Sequence, residues 1–70
     1  MTGEVRFIAD SMLGKLARWM RTLGYDVLYE SHIEDCELIK RVVTEDRILL
    51  TRDTLLAKRR VLRGRYVLLG

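Results

Sequence analysis

Four short apolar runs alternate with segments of helical spacing, and this alternation limits the possible folds more than any other feature of the sequence. Strands are predicted over residues 5–9, 26–30, 48–50 and 66–69. Helices are predicted over 12–23, from about 31 to 44, and from Asp53 to a break at Gly64. This pattern predicts an α/β fold with right-handed crossovers and a parallel sheet covered on both faces. A strand order of 2-1-3-4 would place strands 1 and 3 side by side at a topological switch point, where open α/β sheets bind ligands.

The apolar spacing also predicts which side of the first helix is buried. Met12 and Trp19 are expected to extend that apolar side, and Gly24 is expected to cap the C-terminal end of the helix. Ser31 and Glu34 have the spacing of a capping box at the start of the second helix. The residues that recur at helical intervals in the first helix are Leu13, Leu16, Ala17, Met20 and Leu23.

Length and composition exclude several classes of protein. A chain of 70 residues forms one domain at most, and an apolar content of 49% is enough for a core. Cys36 is the single cysteine, so an internal disulfide and a structural zinc site are excluded, and we expect it to be buried. The apolar runs are far shorter than the roughly 20 residues of a membrane span, and no secretory signal is evident. We therefore expect a cytoplasmic protein.

Two aspartates stand where a predicted strand meets a predicted helix. Asp10 follows the first strand and Asp53 follows the third. Either residue alone is explained by helix capping, because aspartate is a preferred N-cap residue. If the two strands are neighbours, however, both carboxylates converge on one crevice, and like charges held close need a cation or a proton between them.

Asp35 is the third candidate acid. With a turn of about 100° per residue, Asp35 projects on the same side as Leu38, Ile39 and Val42, so it is predicted to point inward. Glu37 projects nearly opposite and is predicted to be solvated. A set of carboxylate ligands without a histidine or cysteine cluster suits a hard cation such as Mg²⁺ or Mn²⁺.

Basic residues form two clusters in a chain whose net charge is +3. Such clusters suit a polyanionic partner, although solvated helix faces explain them equally well. The first cluster is Lys15, Arg18 and Arg21, and the second is Lys58, Arg59, Arg60, Arg63 and Arg65.

The segment FIADSMLGKLARWMRTLG (7–24), the acids near residue 35 and ILLTRD (48–53) together resemble the PIN-like ribonuclease domain found at the carboxyl terminus of the Mut-seven exonuclease, the Mut7-C family. The resemblance covers essentially all 70 residues. It implies a three-layer α/β/α fold and metal-dependent RNA cleavage. It also implies that Asp10, Asp35 and Asp53 form the acidic set, that Thr51 lines the same site, and that Lys15, Arg18 and Arg52 are the basic positions near it.

The resulting expectation is a ribonuclease that cleaves single-stranded RNA with Mg²⁺ or Mn²⁺ held by the aspartates. The alternative is a non-catalytic RNA-binding or interaction module with an incomplete acidic site. A receiver-like domain with Asp53 as phosphoacceptor is disfavoured by the density of basic residues and by the absence of a fifth β-α unit. Family members usually continue into further helix and often a zinc ribbon. We therefore expect residues 1–70 to be the N-terminal portion of a longer domain, without zinc, that self-associates through an uncovered fourth strand carrying Val67 and Leu69.

Overall fold

The computed structural model describes residues 5–69, so residues 1–4 and 70 of the predicted domain lie outside the described part. A four-stranded, all-parallel sheet in the order β2-β1-β3-β4 forms its centre, which confirms the predicted fold class and strand order. The strands are β1 (Arg6–Ala9), β2 (Asp26–Leu28), β3 (Arg47–Thr51) and β4 (Tyr66–Leu68). The helices are α1 (Gly14–Thr22), α2 (Asp35–Thr44) and α3 (Thr54–Ala57), and two 3-10 turns cover Ser11–Leu13 and Arg60–Leu62.

Alternate residues of the central strands supply two separate cores, one on each face of the sheet. Ile8 of β1 pairs with Leu49 of β3, and the next pair, Ala9 and Leu50, faces the other way. Full burial of a leucine side chain contributes about 1.5–3 kcal/mol. The core on the α2 and α3 side is Ile8, Leu38, Val42, Leu49, Leu56 and Leu62. The core on the α1 side is Ala9, Leu13, Ala17, Val27 and Leu50.

The C-terminal end of α1 has the predicted glycine cap. Gly24 has a φ of +98°, a conformation that side chains with a Cβ rarely adopt. The backbone N–H of Gly24 donates to the carbonyl of Arg21 at 3.0 Å, and the N–H of Tyr25 donates to the carbonyl of Met20 at 3.0 Å. These two bonds form a Schellman motif, which turns the chain from α1 into β2.

The predicted capping box of α2 is wrong. Glu34 is the N-cap residue, and no side-chain hydrogen bond caps the helix. The Ser31 hydroxyl instead lies 2.9 Å from Nδ1 of His32. Because α2 begins at Asp35, Ser31 is four residues from the first helical position, too far along the loop to reach the free amides.

The third helix is much shorter than predicted, because a single straight helix cannot bury both of its core leucines. Leu56 and Leu62 are both buried in the same core. Six residues of regular helix would separate their directions by about 120°. The chain instead ends α3 at Ala57, becomes extended at Arg59, and re-enters the core through the 3-10 turn Arg60–Leu62.

Among residues 5–69, none of the helices has the length and apolar character needed to span a membrane.

Three residues that were predicted to be buried lie on the surface. Trp19 is 62% exposed and Met12 is 75% exposed, and Cys36 is also exposed. Trp19 follows the buried Ala17 by two positions, and Cys36 precedes the buried Leu38 by two, so both side chains point about 200° away from the core. Met12 lies in the 3-10 turn before α1, where the helical spacing used for the prediction does not apply.

At the amino-terminal ends of the strands, an arginine of β3 makes hydrogen bonds to both β1 and β2. Arg47 donates to the carbonyl of Phe7 at 2.8 Å, to Asp26 at 3.1 Å and to Glu45 at 2.7 Å. Burial of the guanidinium lowers the pKa of Arg47, but the hydrogen bonds to Glu45 and Asp26 outweigh this and raise it above its ordinary value. The hydrogen bond from Arg47 holds the pKa of Glu45 below its ordinary range. The network stabilises the sheet at the end remote from Asp10.

Candidate active site

The carboxyl ends of β1 and β3 bring Asp10 and Thr51 into direct contact. Ala9 is paired with Leu50, so the residues that follow them are adjacent, and the N–H of Asp10 donates to the carbonyl of Leu50 at 3.0 Å. The Thr51 hydroxyl donates to Oδ2 of Asp10 at 2.9 Å and accepts a bond from the N–H of Asp53 at 3.0 Å. Thr51 is fully buried. Its hydroxyl therefore fixes the Asp10 carboxylate relative to the start of the segment that carries Asp53.

Asp10 and Asp53 differ in what their carboxylates do. Oδ1 of Asp53 accepts bonds from the N–H groups of Leu55 at 2.9 Å and Leu56 at 3.2 Å, so this residue is a true N-cap of α3. Asp10 precedes a 3-10 turn but makes no side-chain cap hydrogen bond. Its Oδ1 accepts only a 3.3 Å bond from the Ser11 hydroxyl among the described residues. Helix capping therefore explains Asp53 in part and does not explain Asp10.

Asp35 does not have the predicted inward orientation. It is the first residue of α2 and its side chain is exposed. The first buried residue of α2 is Leu38, so the core does not extend to the first turn of the helix and the Asp35 carboxylate stays in water, without the cost of burial. Because α2 follows β2, its first residue is reached from the carboxyl end of that strand, the end of the sheet that also carries Asp10 and Asp53. Within residues 5–69, however, no three His, Cys, Asp or Glu side chains are close enough together to hold a metal ion.

A hollow of about 450 Å³ at the beginning of α1 is lined by two of the three basic residues assigned to the site. Lys15 comes from the first turn of α1, and Arg52 lies between Thr51 and Asp53. Met12 and Leu16 supply apolar lining to the same hollow. Arg18 is exposed on α1 and does not line it. The carboxyl ends of β1 and β3, which carry Asp10 and Asp53, are called the acidic edge below. The hollow therefore offers two positive charges and an apolar surface beside the acidic edge.

Comparison with known proteins identifies the family. The family model described as the Mut7-C RNAse domain matches residues 5–69. The chain belongs to the Mut7-C family. No curated protein and no solved structure matches the chain. The match confirms the resemblance inferred from the sequence, and the description of the family indicates a ribonuclease type of function.

In this Mut7-C domain, Tyr29 supports the site in a way that sequence reasoning missed. The Tyr29 hydroxyl donates to the carbonyl of Ser11 at 2.8 Å and so fixes the turn that follows Asp10. A Cβ at Gly14 would lie 3.0 Å from this hydroxyl oxygen. Gly14 is the sequence feature that could have indicated this contact, because a glycine at the beginning of α1 leaves space for the side chain of Tyr29, which follows β2.

The carboxylate oxygens at the acidic edge of the Mut7-C domain suit a hard divalent cation as ligands. Oδ1 of Asp10 has only its long bond to Ser11, and Oδ2 of Asp53 has no hydrogen-bond partner among residues 5–69. Carboxylate oxygens are the ligands that Mg²⁺ and Mn²⁺ prefer. Two acids therefore retain an oxygen for a cation, and the exposed side chain of Asp35 would have to turn toward them to complete a site of three.

Proposed function

We propose that this Mut7-C domain is a ribonuclease that cleaves single-stranded RNA with the help of Mg²⁺ or Mn²⁺. The supporting observation is the hydrogen bond from Thr51 to Asp10, which orients a carboxylate that caps no helix. Membership in a family described as a ribonuclease domain supports the reaction class. A cytoplasmic location accords with an RNA substrate and stays a prediction.

Asp10, Asp53 and Asp35 are the residues proposed to hold the cation. Asp10 and Asp53 are fixed by Thr51 and by the cap of α3, and Asp35 would complete the set from the exposed end of α2. A bound divalent cation supplies Lewis acidity at the scissile phosphate and lowers the pKa of a bound water. Thr51 itself is buried, so it acts by positioning Asp10, and direct contact of Thr51 with substrate stays a prediction.

The basic residues are proposed to bind the RNA backbone next to the acids. Lys15 and Arg52 line one hollow, so both could contact neighbouring phosphates of a strand that crosses the acidic edge. Met12 is 75% exposed and lines the same hollow, so it offers apolar contact to a base or ribose. Arg18 lies one turn further along α1 than Lys15 and would bind a more distant phosphate.

The second candidate function is RNA binding without catalysis. The separation of the three acids favours it, because no metal-holding group of three is assembled within residues 5–69. Under this alternative, RNA binding is sensitive to salt, no turnover occurs with metal, and Asp10→Asn leaves the affinity unchanged or raises it by removing repulsion.

The deciding experiment is cleavage of an end-labelled single-stranded RNA in the presence of Mn²⁺ by wild type, Asp10→Asn and Asp46→Asn. Asp46 is a matched control because it is 96% exposed and lies just before β3, at the opposite edge of the sheet. We expect Asp10→Asn to lose about a hundredfold or more of the rate, and Asp46→Asn to keep it. Equal cleavage by wild type and Asp10→Asn would reject the proposed site.

A further inference from the structure

A second group of cations lies outside the candidate active site, in the turn between α3 and β4. Lys58, Arg59, Arg60 and Arg63 are all exposed, and none of them has a carboxylate within salt-bridge distance among residues 5–69. All four line one hollow of about 170 Å³, with Tyr66 at its side. We call residues 58–63 the basic turn.

The backbone that presents these cations is ordered by the core and by tight turns. Leu56, just before the basic turn, and Leu62, within it, are almost completely buried. The N–H of Leu62 donates to the carbonyl of Arg59 at 3.0 Å, and the N–H of Arg63 donates to that of Arg60 at 3.0 Å. The fold therefore fixes the backbone from which these four cations project around one hollow.

The basic turn lies in a part of the chain where positive charge is concentrated. Residues 47–65 contain seven Lys and Arg residues and a single acid, Asp53. By contrast, Arg41 of α2 has acidic neighbours: it lies 2.9 Å from Glu37 and 3.5 Å from Glu45. Like charges held together without counter-charges repel one another, which disfavours the compact state. A polyanion bound at the turn would remove that repulsion.

Tyr66 distinguishes a single-stranded nucleic acid from other polyanions. It lies on β4 at the edge of the sheet, is 38% exposed, and borders the hollow between the cations. Proteins that bind single strands combine a positively charged groove for the phosphates with aromatic rings on which bases stack. A lipid headgroup or an acidic peptide would use the charges but gain nothing from the ring in this way.

We infer that the basic turn and Tyr66 form a second RNA-contact surface, which holds the substrate strand beyond the acidic edge. The inference rests on the proposed function for its choice of RNA. Helix α3 has only four residues, about 6 Å of helix, and it links Asp53 directly to Lys58. One RNA strand could therefore reach from the acidic edge to the basic turn.

The test measures RNA binding apart from cleavage. Fluorescence anisotropy with a labelled oligouridylate in EDTA gives the affinity of the whole chain over a range of salt concentrations. Arg60→Gln should reduce the slope of log affinity against log salt by about 0.7, the value for one phosphate contact of a single strand. Lys40→Gln removes one exposed charge from α2 and is the matched control, with no change in slope expected.

Variants of Tyr66 test stacking. Tyr66→Leu should weaken binding about fivefold or more, whereas Tyr66→Phe keeps the ring and should bind like wild type. Circular dichroism confirms that each variant is folded. Equal slopes for Arg60→Gln and Lys40→Gln would overturn the inference, as would preferential binding of the turn to anionic phosphatidylserine vesicles. Because EDTA prevents metal-dependent cleavage, the measured affinity does not depend on turnover at the proposed catalytic site. Failure of the RNA-contact surface is therefore distinguished from failure of the proposed ribonuclease function.

Discussion

The Thr51 hydroxyl donates a 2.9 Å hydrogen bond to Oδ2 of Asp10, across 41 positions of the sequence. Parallel pairing of β1 and β3 creates this contact, because it aligns the two strand ends. The same hydroxyl accepts a bond from the N–H of Asp53. One buried side chain therefore connects the two acids that are fixed at the sheet edge.

Replacement of Thr51 tests whether this connection matters for catalysis. Thr51→Val keeps the shape but leaves Oδ2 of Asp10 without its donor, so we expect a loss of about 1–3 kcal/mol in stability and a fall in kcat of roughly tenfold to a hundredfold. Thr51→Ser keeps the hydroxyl and should retain most of the kcat. Denaturant unfolding and RNA cleavage kinetics measure the two effects. An unchanged kcat in Thr51→Val would show that Asp10 needs no positioning.

The two roles of Asp53 are separable by substitution. Asp53→Asn keeps a side-chain oxygen for the N–H groups of Leu55 and Leu56 but removes the charge. It should unfold at nearly the wild-type denaturant concentration and lose cleavage. Asp53→Ala should lose cleavage and also about 1 kcal/mol of stability, because the cap of α3 is lost. Full cleavage activity in Asp53→Asn would assign the residue to capping alone.

The alternation of strands and helices and the positions of Asp10 and Asp53 were predictable, because apolar runs and strand-to-helix junctions are local features of sequence. The strand order followed from the few topologies that right-handed crossovers between parallel strands allow. The position of Asp35 was not. Helical periodicity predicts in which direction Asp35 projects relative to Leu38, but it does not show whether the core extends to the first turn of α2. The division of the third helix likewise depends on two leucines sharing one core, and the Thr51–Asp10 bond depends on strand register. These features are set by tertiary packing.

Acid should weaken the fold partly through Glu45. Its pKa is lowered in the folded state mainly by the hydrogen bond from Arg47, so the unfolded chain binds a proton more readily. The stability that this pair contributes is fully present above the ordinary pKa of 4.5 and is lost as the pH falls through the lowered value. Urea unfolding at neutral pH and near pH 3 should therefore show a smaller acid effect in Glu45→Gln than in wild type. An identical pH dependence in both proteins would contradict this assignment.

Self-association through β4 stays a prediction, and the exposure of the strand supports it. Val67 is 44% exposed, as predicted, whereas Leu69 is partly buried against the core on the α1 side. Leu68 is also 44% exposed, and within residues 5–69 β4 pairs with β3 alone, which leaves its outer edge open. Sedimentation velocity of the 70-residue chain should show dimers at high concentration. Val67→Lys should reduce them, because charged residues protect an edge strand. Val43→Lys, at a similarly exposed position on α2, is the control. A strictly monomeric wild type would contradict the prediction.

The most direct test of the account is the location of Mn²⁺ in crystals of the chain, found from its anomalous scattering. We predict a peak in contact with carboxylate oxygens of both Asp10 and Asp53, with the side chain of Asp35 turned toward it from the start of α2. The same crystals of Asp10→Asn should lack the peak. A Mn²⁺ ion bound elsewhere, or Asp10 and Asp53 sharing no ion at saturating Mn²⁺, would contradict the proposal that this sheet edge is a metal-dependent ribonuclease site.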